Sequence, residues 1–231
     1  MTKQNIPHLT AFPEGIFAGF LLGLTGLSFL NAQTPLTNSN FQSAVNLWFS
    51  DEATATANYG HISDWNVTGV RNMQNAFKNR TAFNEDISGW DVSNVTNINS
   101  MFRGASAFNQ PIGGWNVSSV TNMANMFYGT PFNQPIGDWN VSSVTNMANM
   151  FNKALFNHPI ENWDVSSVTN MVNMFNGTPF NQPIGDWNVS SVTNMAGMFN
   201  GTPFNQSIEN WDVSLVTHMG SLFNGTPFNQ P

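Results

Sequence analysis

Apolar residues recur along this chain with one long period. Seven tryptophans, Trp65, Trp90, Trp115, Trp139, Trp163, Trp187 and Trp211, stand 25, 25, 24, 24, 24 and 24 residues apart. Around each of them the same order of apolar and polar positions is copied, most cleanly in Phe180–Pro203, which reads FNQPIGDWNVSSVTNMAGMFNGTP. Down the copies the apolar positions form columns: Ile112, Ile136, Ile160 and Ile184; Val117, Val141, Val165 and Val189; Phe127, Phe151, Phe175 and Phe199. A methionine column runs from Met73 to Met219, with Ile98 interrupting it. Self-similarity at this period marks a repeat whose units cannot bury an apolar face alone and stack on their neighbours.

Within one copy, Asp186-Trp187-Asn188-Val189 alternates polar and apolar residues, the period of a short strand buried on one face. The following Ser190–Phe199 places Val192, Met195, Met198 and Phe199 at offsets of three and four behind serines able to cap a helix start, which predicts one or two helical turns. Asn200-Gly201 and Thr202-Pro203 would end them. The predicted fold is a repeat solenoid of about seven coils over residues 60–231, with one short parallel β-strand and one short helical turn per 24–25-residue coil. Residues 33–59 differ in character. Phe41, Ala44, Val45 and Trp48 fall at helical spacing, so Asn40–Phe49 is expected to form an amphipathic helix that caps the first coil.

The N-terminus adds an address. Lys3 precedes the apolar run Ile16–Leu30, IFAGFLLGLTGLSFL, followed by Asn31-Ala32-Gln33. This resembles a secretory signal over residues 1–32 cleaved near Ala32; an uncleaved anchor or a buried cap helix are the alternatives, and the run is short for a membrane span of about 20 residues. Only 8% of the chain is charged and the formal net charge is -7, with no Lys or Arg after Lys153. Such a surface repels phosphates, so a nucleic-acid partner is not expected. The absence of cysteine removes disulfides and thiolate metal sites.

The series Trp-Asn/Asp-Val-Ser-x-Val-Thr-Asn-Met-x-x-Met-Phe, followed by Phe-Asn-Gln-Pro-Ile, resembles the BspA-type leucine-rich repeat surface proteins, a repeat also known as a mycoplasma lipoprotein repeat of unknown function, over about Gly60–Pro231. Ala44-Val45-Asn46-Leu47-Trp48 and Tyr59–Trp65 are similar to the lead-in of those arrays. The resemblance implies a leucine-rich-repeat-like solenoid, secretion or surface display, and adhesion or protein binding. It carries no catalytic residues.

Tryptophan shares parity with the valine two residues on, and an outward stripe of both would exceed the apolar patch a monomer tolerates, so Trp is expected inside. The flanking residues then point outward in rows about 4.8 Å apart. Asp91, Asn116, Asp138, Asn140, Asp164, Asp186, Asn188 and Asp212 are the candidate binding residues of this polar sheet face, for a protein or glycan at a cell surface. No metal site or cofactor is expected, although a Ca²⁺-dependent adhesin would draw on Glu161, Asp164 and Asp186. Asn72, Asn97, Asn122, Asn146, Asn170 and Asn194 are expected to form a ladder serving turn backbone groups. The histidines are scattered and the carboxylates periodic, so an enzyme is not expected. The function expected is a secreted or surface interaction protein; the alternative is a structural role with end-to-end self-association.

Overall fold

The computed structural model describes residues 33–230, and the expected export signal over residues 1–32 lies outside them. The described chain opens with α1, Phe41–Ser50, and α2, Glu52–Tyr59, followed by a single 3₁₀ turn, Ile62–Asp64. α1 stands where the helical spacing of apolar residues places it, and Phe41, Ala44, Val45 and Trp48 are its buried stripe. Asp51 separates the helices. Its carboxylate accepts from the Thr54 N–H at 3.0 Å and the Thr54 hydroxyl at 2.6 Å, satisfying a donor that the first turn of α2 leaves orphaned. The α1 side chains cover the first coils: Phe41 meets Trp90 edge-on at 6.0 Å, Trp48 meets Trp65 at 6.2 Å, and Phe49 meets Phe83 at 5.8 Å.

From residue 65 onward the described residues contain no strand, no sheet and no helix. The expectation of a leucine-rich-repeat-like solenoid, with a strand at Asp186–Val189 and a helical turn in Ser190–Phe199, is therefore corrected. The repeat is a stack of coils built from turns. Two turns flank the predicted strand, closed by Trp187 N–H to Ile184 O at 3.1 Å and Val192 N–H to Val189 O at 2.9 Å. Only Asn188 remains between them, too little for a ladder. Parallel pairing between coils occurs instead at single residues of the asparagine column, Asn72 to Asn97 and onward to Asn194 and His218.

The predicted helical turn fails for a different reason. The N–H groups of Met195, Gly197, Phe199 and Gly201 donate to His218, Gly220, Leu222 and Asn224 of the next coil at 3.0, 2.9, 3.0 and 2.8 Å. Met198, Asn200 and Thr202 donate three residues back within their own coil. A helix would keep every one of these bonds internal, four residues apart. Left-handed residues impose the alternation: Gly197 and Gly201 have φ of 64° and 69°, and Asn125, Asn149 and Asn173 hold the equivalent of Gly197 at 58°, 56° and 53°. Glycine and asparagine enter this region most readily. Offsets of three and four thus bury one face of a run of turns.

All seven repeat tryptophans are buried, with Trp163 only 3% exposed, as their parity with valine predicts. Each indole N–H from Trp90 onward donates to the isoleucine carbonyl of the preceding coil, Trp163 to Ile136 and Trp187 to Ile160, both at 3.1 Å. The buried donor is therefore satisfied, and it ties two coils together. Two phenylalanine columns fill the rest of the interior. Phe175 and Phe180 stack at 4.0 Å within their coil, and Phe175 lies 5.8 Å from Phe151 and 5.9 Å from Phe199 in the coils on either side. In the last described coil the columns lose this cover: Val213 is 38% and Met219 38% exposed, whereas Val189 is 1% and Met195 0%.

Candidate functional site: the polar rows beside the tryptophans

The eight candidate residues all lie exposed, in two rows flanking the buried tryptophan column. They do not sit on a sheet face. Asp138 and Asp186 belong to the turns that precede Trp139 and Trp187, while the other six follow a tryptophan.

These six are not free side chains. Asp91, Asn116, Asn140, Asp164, Asn188 and Asp212 each accept, through Oδ1, the N–H of the serine two residues on, at 3.0–3.1 Å. The three asparagines also accept that serine's hydroxyl at 2.7 Å. Such a bond holds the turn that the chain must make after valine. Their outward row is thus part of the scaffold, and the groups it offers a ligand are the remaining oxygen or NH₂ of each side chain. Asp138 and Asp186 make no such turn.

The turn bonds leave an electrostatic mark. The Ser93 hydroxyl and N–H beside Asp91, and the Ser166 hydroxyl and N–H beside Asp164, hold both carboxyls below the usual aspartate value of 3.8. At Asp212 the Ser214 N–H is the larger cause and its hydroxyl the smaller. A carboxyl whose folded pKa is lowered contributes stability above its unfolded value and loses it as pH falls through the folded value. Stability is therefore expected to drop below about pH 3.8. The triple variant Asp91→Asn, Asp164→Asn and Asp212→Asn keeps the turns in the form that Asn116, Asn140 and Asn188 already use, so its urea midpoint should fall less between pH 5 and pH 2.5. An equal fall in both proteins places the acid sensitivity elsewhere.

Beside the second row a cleft of about 460 Å³ is lined by Pro135, Gly137, Asp138, Pro159, Glu161 and Asn162 among others. Asp138 and Glu161 bring carboxylates from neighbouring coils to it. The calcium expectation is not supported: Glu161, Asp164 and Asp186 form no metal cluster, since among the described residues no three His, Asp or Glu side chains gather closely enough to hold an ion.

The asparagine column behaves as a turn-serving ladder. Asn97, Asn122, Asn146, Asn170 and Asn194 accept the N–H two residues on at 3.0–3.1 Å. A second ladder escaped the residue-by-residue reading. Asn84, Asn109, Asn133, Asn157, Asn181 and Asn205 each accept, through Oδ1, the backbone N–H of the equivalent asparagine in the next coil at 2.9–3.1 Å. Its signal was present in the repeated Phe-Asn-Gln motif, where an invariable amide beside a buried ring points to backbone satisfaction.

Among the described residues no helix is long and apolar enough to cross a membrane. Comparison with curated proteins and with solved structures returns no match. The repeat columns, together with Trp48 and Phe49 of α1 that cover them, fall within residues 44–156 and 153–231, the two stretches matched by one family model. That match spans most of the chain, which belongs to the family described as Mycoplasma protein of unknown function, DUF285.

Proposed function

We propose that this protein is a secreted or cell-surface interaction protein, of the BspA-like adhesive kind, that binds a protein or glycan partner through its polar rows. The observation that carries this reading is the placement of Asp138 and Asp186: exposed, periodic and free of the turn bonds that occupy the other candidate side chains. A column of turns tied from coil to coil keeps such groups at fixed spacing, which lowers the ordering cost of binding. Family membership supports a repeat protein of this kind.

The test is capture of a surface extract by the intact protein and by the variant Asp138→Ala with Asp186→Ala. Neither side chain holds a turn, so stability should change by no more than about 0.5 kcal/mol, the range for exposed positions. Loss of captured protein or glycan at unchanged stability supports the reading. Equal capture by both proteins removes the polar rows as the binding surface. Localisation of the tagged full chain tests the other half, since retention inside the cell overturns surface display.

A further inference from the structure

We propose a second binding site, distinct from the polar rows, that takes the carboxylate of an acidic sugar in the cleft between the start of α1 and the first coil. The cleft measures about 580 Å³ and is lined, among the described residues, by Asn38, Gln42, Asn72, Gln74, Asn75 and Lys78. Five carboxamides and one ammonium therefore face one concavity, a size that suits a monosaccharide unit.

Hydrogen bonds decide which end of each amide faces outward. Asn38 Oδ1 accepts from the N–H groups of Arg71 at 2.7 Å and Asn72 at 3.1 Å. Asn72 Oδ1 accepts from the Gln74 N–H at 3.0 Å, and Gln74 Oε1 accepts from Asn97 Nδ2 at 3.2 Å. With these oxygens committed to the protein, the amide groups of Asn38, Asn72 and Gln74 are left to present NH₂ donors, beside the Lys78 ammonium. Gln42 is turned the other way: its Nε2 donates to Asn46 Oδ1 at 3.4 Å and leaves Oε1 as an acceptor.

A wall of several neutral donors, one cation and an acceptor matches a ligand carrying one negative charge, several oxygens and hydroxyl protons. A uronic acid has that chemistry: the carboxylate pairs with Lys78 in charge-assisted hydrogen bonds and its hydroxyls meet the amides. A phosphate dianion fits less well, because one ammonium must balance it in a chain of net charge -7. The site is also singular. Asn38 and Gln42 belong to the segment before the repeat, and at the position of Lys78 the next coil carries Arg103, whose guanidinium lies over the Tyr128 ring at 4.9 Å, while the coils after it carry Tyr128, Asn152, Asn176 and Asn200. Asn38 and Asn72 are held by backbone partners before any ligand arrives, so little ordering remains to be done.

The test is titration of the full chain with glucuronate, glucose and inorganic phosphate, followed by calorimetry or by amide shifts of Gln74 and Lys78. Glucuronate should bind about tenfold more tightly than glucose or phosphate, and Lys78→Met should weaken glucuronate by about tenfold at an unchanged melting temperature. Gln42→Ala, which removes the acceptor and keeps the charge, should weaken glucuronate and leave the ranking of the three ligands intact. The Asp138→Ala, Asp186→Ala variant should bind glucuronate normally, which separates this site from the polar rows. Absence of glucuronate binding overturns the proposal, as does unchanged affinity in Lys78→Met or tighter binding of phosphate than of glucuronate.

Discussion

Replacing Trp163 with alanine in the middle of the stack is expected to cost about 3–5 kcal/mol, the range for truncating a large buried aromatic. Trp163 is 3% exposed and stacks on Trp187 at 6.5 Å and 3° and on Phe151 at 6.4 Å and 27°. Its Nε1 also donates to Ile136 O at 3.1 Å, so the variant leaves a carbonyl of the preceding coil without its partner as well as a cavity. Because hydrogen bonds run only between adjacent coils here, as in other repeats, the damage should stay local and divide the stack into two cooperative units. Calorimetry should then show two transitions where the parent shows one. A single transition with stability reduced by less than about 1 kcal/mol would place the tryptophan column outside the core.

Phe175→Ala is the second large effect, again about 3–5 kcal/mol. The Phe175 ring is fully buried and touches four others: Phe180 at 4.0 Å in its own coil, Phe151 and Phe199 in the coils on either side, and Trp187 at 6.5 Å. Offset stacking adds roughly 0.5–1.5 kcal/mol per pair beyond the buried area. Phe175→Leu keeps most of the apolar volume and loses the stacking, so it should cost less than the alanine change, the difference between the two reporting the volume. Leu155→Ala is the contrast: at 58% exposed it fills the column position that proline holds elsewhere, and its loss should change stability within about 0.5 kcal/mol. Urea midpoints of the three variants order them; an equal effect of Phe175→Leu and Phe175→Ala would mean that ring stacking, and not volume, carries the column.

Burial could be read from the chain because it acts on residue identity at fixed spacing. An interior shared by stacked coils admits only apolar residues, so Ile, Val, Met, Phe and Trp recur at the same offsets and all but the last coil bury them. The same holds for α1, whose Phe41, Ala44, Val45 and Trp48 mark a stripe that only a helix brings to one side. Exposure of the candidate binding residues followed from parity with tryptophan. Their engagement did not. Asp164 and Asp186 are the same residue type in neighbouring rows, yet one holds a turn through Ser166 and the other is free.

The sequence by itself determined which residues face the interior, which face water, and where one coil gives way to the next. Only the tertiary structure decided the backbone that carries them. Trp-x-Val has the period of a strand and Val-Thr-Asn-Met-x-x-Met-Phe the offsets of a helix, but both patterns report only which side a residue faces. Consecutive turns satisfy them equally. What separates turns from strand or helix is the destination of each N–H, and that depends on the coil stacked alongside: Gly197 and Phe199 donate outward to Gly220 and Leu222, and Asn181 donates to Asn157 Oδ1 in the coil before. Those partners lie about two dozen residues away, beyond the reach of any local pattern, and the left-handed asparagines and glycines that permit the arrangement gain their meaning only once the coils are stacked.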